Sequence, residues 1–227
     1  MLTQSVPALQ APRPPHLAAN DDGLGSIVAR AYLPLTEFSY RKDEEIYGED
    51  EPAEFVYQVA RGAVRSYKLL SDGRRQIGAF HLPGDVFGLE PTSRHRLTAE
   101  AITGTAVHLV KRKSLEQAAS TDVEITRRLW TMTASDLRHA EDHMLLLGRK
   151  TAMERVAAFL LEMDRRLSSA GMLALPMCRR DIGDYLGLTI ETVSRALSEL
   201  HDLGIIAFSG ARQIVLQNRP RLRGMNG

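Results

Sequence analysis

The chain has 227 residues, 44% hydrophobic and 25% charged, an ordinary globular composition that suits one large or two modest domains. No apolar run approaches membrane-spanning length, and the N-terminal stretch MLTQSVPALQAPRPPHLAAN lacks the basic and apolar regions of a secretory signal. One cysteine excludes an intrachain disulfide and suits a reducing cytoplasm, while the formal net charge of +1 divides into +4 over residues 149–227 and −3 over the remainder, a basic C-terminal third that points to nucleic acid.

Four of the ten prolines fall within the first fifteen residues, so residues 1–30 are expected to form a disordered arm. Residues 31–120 are expected to form a β-roll domain, and from Tyr32 to about Lys113 the chain looks like short strands broken by glycines. EFVYQVARGAVRSYKLL and AITGTAVHLV carry the aromatic and β-branched residues that strands favour, and SDGRR between them reads as a hairpin turn. Many short strands favour a barrel or jelly roll. From Thr121 to Leu147 there is neither glycine nor proline, and two apolar stripes run along one predicted helix. Trp130, Leu137, Met144 and Leu147 lie near heptad spacing, with Ile125, Leu129 and Met132 on another side. Such a helix has two things to bury against: its own barrel and a partner helix in a dimer seam. An interior helix of a monomer would give the same pattern.

Residues 148–227 then begin with a hinge at GRK, a helix capped by Thr151 with Val156, Phe159, Leu160 and Met163 on its core face, an end at SSAG and a short strand LALPM. The stretch CRRDIGDYLGLTIETVSRALSEL follows. A short helix around Asp181–Leu188, with Ile182 and Leu186 on one side, stops at Gly187, a residue suited to the left-handed helix C-terminus. Thr189 stands as N-cap of a second helix from Ile190 to about Leu203. Val193, Ala196, Leu197 and Leu200 form its buried face; Glu191, Ser194, Arg195 and Ser198 form the opposite one. Two short helices joined by a tight glycine turn make a helix-turn-helix, and the β-hairpin expected in IIAFSGARQIVLQ adds a wing. Arg195 can donate to guanine O6 and N7, Glu191 can accept from cytosine N4 and brace the arginine, and Ser194 can approach a base edge or a thymine methyl. Arg179, Arg180, Thr189 and Thr192 are expected on the phosphate backbone. A solvated face with an ordinary ion pair is the alternative for this surface.

The fold class expected is α+β: an N-terminal β-roll, a long dimerisation helix and a C-terminal winged helix-turn-helix. This order, with GLTIETVSRALSEL and LPGDVFG as its most specific motifs, resembles the Crp/Fnr superfamily of bacterial transcription regulators over nearly everything after residue 30. The set Glu191, Ser194, Arg195 is similar to that of the Fnr and FixK-type readers, and FixK-type is the nearest likeness. The resemblance implies a cytoplasmic homodimer on double-stranded palindromic DNA with TTGA-like arms. It further implies contact with RNA polymerase, activation of microaerobic respiration or nitrogen-fixation genes, and no membrane.

No cofactor is expected. An iron–sulfur cluster normally needs four thiolates, against one cysteine here. PTSRHRLTAEA has Arg94 and Arg96 but not the Arg-Ser pair with which Crp-type proteins hold the cyclic AMP phosphate. A ligand-gated Crp-like regulator remains one alternative. A metal-dependent enzyme is the other, because His139 and His143 are spaced i,i+4, but HAEDH is not HExxH and no third ligand stands out. Cys178 stands before the first helix of the head, beside Arg179 and Arg180. Helix N–H groups and both guanidinium groups are expected to favour its thiolate, so that oxidation would brake DNA binding; a small buried hydrophobe is the plain alternative.

Overall fold

The computed structural model describes residues 23–149, 151–167, 172–210 and 212–225. Its first element corrects the expected arm. Leu24–Ala31 form a helix, α1, because Leu24, Ile27 and Val28 recur at helical spacing and are buried. They pack on Val56, Val110 and Leu115. Residues 1–22 of that arm lie outside the described residues.

Eight strands follow: β1 (Thr36–Tyr40), β2 (Glu45–Tyr47), β3 (Phe55–Arg61), β4 (Val64–Leu69), β5 (Arg75–His81), β6 (Val86–Phe87), β7 (Thr98–Ala101) and β8 (Thr105–Lys111). They form two antiparallel four-stranded sheets, ordered β1-β8-β3-β6 and β2-β7-β4-β5. Tyr47, Tyr57, Val59, Val64, Phe87 and Val107 pack between the sheets. The turn between β4 and β5 is the one SDGRR suggested, with Gly73 at φ 81° and its N–H donating to the Leu70 carbonyl.

A short helix, α2 (Arg112–Thr121), precedes the long one, α3 (Val123–Arg149). Asp122 separates them and caps α3, accepting from the backbone N–H of Glu124 at 2.9 Å and pairing with Arg30 at 2.6 Å. At 1.5 Å per residue α3 spans about 40 Å. Ile125 is buried against the β-roll, with Leu129 and Met132 packed beside it. The opposite face is bare: Val123 is 84% exposed, Trp130 77%, Leu137 60% and Met144 65%, at strict seven-residue spacing. Leu147 departs from this stripe. It is half-buried, and a Cβ placed on Gly187 would lie 3.6 Å from its Cδ2.

Of the expected hinge, Lys150 lies outside the described residues; α3 runs through Gly148, and Thr151 caps α4 (Ala152–Arg166) in a capping box with Glu154. Val156, Phe159, Leu160 and Met163 are all buried. Strand β9 (Met172–Ala174) begins one residue earlier than LALPM suggested and stops before Pro176, whose ring nitrogen cannot donate to a ladder. Then come α5 (Arg179–Leu186), α6 (Ile190–Asp202), β10 (Ile206–Gly210), β11 (Gln213–Leu216) and α7 (Arg219–Gly224), with a sheet ordered β10-β11-β9.

One apolar cluster runs from the β-roll into this head, joining Ile77, Phe80 and Ile102 to Phe159, Ile182 and Tyr185. Ions reinforce it. Asp181, 3% exposed, accepts from Arg65 Nη1 at 3.1 Å and Arg75 Nη2 at 2.6 Å. Arg65 also pairs with Glu100, its cross-strand neighbour, and Arg75 with Asp184 at 2.7 Å. Removing one partner from a buried charge cluster strands the others, at a cost of about 3 kcal/mol or more. Arg65→Ala is therefore expected to lower unfolding free energy by about 3 kcal/mol; a loss below about 1 kcal/mol in chemical denaturation would show that solvent replaces the pairing.

Candidate nucleic-acid interface

The helix-turn-helix is built from α5 and α6. Gly187 ends α5 at φ 62°, the left-handed conformation expected of it. A second glycine, Gly183, matters in another way: a Cβ there would meet the Leu188 carbonyl oxygen at 2.7 Å. The turn can pass this close to α5 only because position 183 has no side chain. Sequence reading missed it, since a lone glycine inside a helix gives no sign of what lies opposite. Arg155 was missed for the same reason. Its guanidinium donates to the carbonyls of Leu186 at 3.0 Å and Leu147 at 2.8 Å, tying the ends of α5 and α3 together.

Thr189 caps α6, its hydroxyl accepting from the Thr192 N–H at 3.2 Å. Val193, Ala196, Leu197 and Leu200 are buried as expected. Glu191 and Arg195 are exposed and Ser194 half-exposed, so the structure brings the three expected readers to one outward face. The Glu191 carboxyl is held below its ordinary pKa, first by its own backbone N–H, then by the Thr189 hydroxyl and the charges of Arg195 and Arg180. The bracing of Arg195 differs from the expectation: its Nη2 donates to Thr192 Oγ1 at 3.3 Å. Thr192 and Thr189 also share a hydroxyl–hydroxyl bond of 3.1 Å. Arg180 is exposed beside this face, whereas Arg179 turns inward and donates to Ser194 Oγ at 3.2 Å.

Cys178 is the half-buried residue before α5. Asp181 folds back on it, accepting from its N–H at 3.2 Å and its Sγ–H at 3.1 Å. The hydrogen-bond partner of the sulfur is therefore a carboxylate.

A cleft of about 430 Å³ lies between the β-roll and α3. Its charged lining is Asp85, Glu90, Asp136 and Arg166. Arg166 is already engaged by Asp85 and by Glu162 at 2.9 Å. Burial and the Asp85 charge raise Asp136 to about 6, and burial lowers His81 to about 4. Arg94 lies outside the cleft, donating to the Asp50 carbonyl, and Arg96 does not line it. A cyclic nucleotide phosphate would meet more carboxylates than free guanidinium groups there, so the residues do not fit that ligand. His143 Nε2 donates to the Tyr185 carbonyl oxygen at 2.8 Å, and its ring is stacked on Tyr185 at 4.0 Å. His139 faces Glu162 at 3.9 Å. Among the described residues no three His, Cys, Asp or Glu side chains are grouped to hold a metal ion, and no helix is long and apolar enough to cross a membrane.

A β-roll joined by a long helix to a winged helix-turn-helix defines a class of DNA-binding transcription regulators, and the matches agree: residues 37–122 match the cyclic nucleotide-binding domain and residues 154–225 the Crp-like helix-turn-helix domain. The chain is similar to the nitrogen fixation regulation protein FixK of Azorhizobium caulinodans, 45% identical over 82% of this chain and 77% of that one. It is also 43% identical to FixK of Rhizobium meliloti, over 85% and 88%. The solved structure of FixK2 from Bradyrhizobium japonicum superimposes with a TM-score of 0.84 at 78% identity, covering 86% of this chain and 98% of that chain. The chain belongs to the Crp/Fnr family, among its FixK-type members.

Proposed function

We propose that two copies of this chain join along α3 and place their α6 helices in successive major grooves of a palindrome with TTGA-like arms. There they recruit RNA polymerase to nitrogen-fixation or microaerobic respiration genes. The observation that carries the reading is the capped, outward face of Glu191, Ser194 and Arg195 on a head of net positive charge. The relatives named for nitrogen fixation regulation support the choice of genes. The protein works in the cytoplasm, without a catalytic role, an iron–sulfur cluster or cyclic AMP; the anionic cleft supports the last point. The direct test is binding to a TTGA-armed palindrome with and without cyclic AMP, followed by transcription in vitro with added polymerase. Tight, nucleotide-independent binding and increased transcript are expected. Binding that requires cyclic AMP favours a ligand-gated Crp-like regulator.

Arg195→Ala is expected to cost about 1–3 kcal/mol per half-site and to relax preference at one guanine. Glu191→Ala should relax preference at a neighbouring cytosine. Binding-site selection returning the unaltered consensus for both variants removes the direct-readout assignment.

Burying a large apolar side chain is worth about 1.5–3 kcal/mol. A seam with four from each protomer is therefore worth about 12–24 kcal/mol when fully buried, enough to offset most of the roughly 4–15 kcal/mol range of association cost. Val123 joins Trp130, Leu137 and Met144 in that seam, with Leu147 at its margin. Leu137→Glu or Met144→Glu should yield monomers in sedimentation and weak operator binding. A wild-type monomer at micromolar concentration counts against the seam.

Oxidation of Cys178 is proposed to lower DNA affinity. A sulfinate in place of a thiol 3.1 Å from Asp181 would repel the carboxylate that fixes the start of α5. Peroxide should inactivate wild type and spare Cys178→Ser, and Cys178→Asp should bind weakly from the start. Equal inactivation of Cys178→Ser leaves the cysteine as packing.

A further inference from the structure

A serine hydroxyl facing DNA is ambiguous, with one hydrogen to give, two lone pairs to offer and three rotamers to choose from. In this head the ambiguity is removed from behind. Arg179 Nη1, at the start of α5, donates to Ser194 Oγ at 3.2 Å. An arginine can only donate. The hydroxyl therefore accepts on its protein side, and the adjacent positive charge turns its hydrogen outward. The guanidinium is itself fixed. Its central carbon lies 5.6 Å from the ring centroid of Phe208 on the wing strand β10, and Phe208 is stacked on His201 of α6 at 5.3 Å. Three elements that only tertiary folding brings together converge behind one reading side chain.

We propose that Arg179 is a positioning residue for sequence readout: it holds Ser194 as an outward donor, and so selects a base with a major-groove acceptor, thymine O4, over cytosine with its N4 donor. The inference rests on Ser194 being a base reader and adds what sets its polarity. It differs from a role for Arg179 as a phosphate anchor, which would weaken binding to all sequences evenly.

The test compares wild type, Ser194→Ala, Arg179→Lys and the double variant on operators carrying thymine or 5-methylcytosine at the position Ser194 faces. These two bases share the methyl group and exchange O4 for an amino group. Lysine keeps the charge for phosphate but not the planar fork that reaches Ser194 over Phe208. Wild type should prefer thymine by about two- to tenfold, the worth of one hydrogen bond. Arg179→Lys should lose that preference while retaining selectivity at every other position, and the double variant should discriminate no less than either single variant. If Arg179→Lys weakens all operators evenly and keeps the thymine preference, the positioning role is overturned and the Ser194 reading stands. If Ser194→Ala keeps the preference, both are overturned.

Discussion

The structure turns on a single buried carboxylate. Asp181 occupies the third position of α5, where it accepts the Cys178 N–H and caps the first helix of the reading head. The same group takes hydrogen bonds from Arg65 on β4 and Arg75 on β5. A residue that would otherwise serve local helix initiation thus also fixes the head against the β-roll. In a low-dielectric site neither role separates easily from the other, because leaving any member of the cluster unpaired costs more than the pairing gains. The apolar contact of Phe80 with Phe159 and Tyr185 gives the interface its area, and the ions give it its register.

The long helix divides the labour of the molecule. One side, through Ile125, Leu129 and Met132, completes the core of the β-roll; the other leaves Val123, Trp130, Leu137 and Met144 uncovered along a straight heptad line. Large apolar side chains in such a line are costly to leave in water. The line lies along the element whose far end reaches the head, where Arg155 ties Leu147 to Leu186. The pairing along α3 proposed above would therefore also set the distance between two reading helices, which is what binding a palindrome requires.

Within the head, the three side chains proposed to read bases are each held by neighbouring side chains. Thr192 braces Arg195, Thr189 caps α6, the Glu191 carboxyl is held below its ordinary pKa by its own backbone N–H and then by the Thr189 hydroxyl, and Arg179 backs Ser194. Rigid support of this kind would lower the entropy lost if these side chains meet a base edge, as proposed.

Much of this was legible in order along the chain. The strands and their SDGRR turn, the two faces of α3, the Thr151 cap, the α6 faces and Gly187 all follow from local patterns: alternation, heptads, capping residues and positive φ. The helix in LGSIVARA was equally local and was obscured only by the proline-rich stretch before it. The rest depends on residues far apart in sequence. Nothing near Asp181 announces Arg65, nothing near Arg179 announces Phe208, and Gly183 shows its purpose only against the Leu188 carbonyl. The sequence by itself determined most of the elements, the class of regulator and the outward face of α6, because periodicity and capping act within a few residues. Which charges pair, where Leu147 points and what stands behind Ser194 were decided by the tertiary structure, because desolvation and close approach exist only once separate segments are packed together.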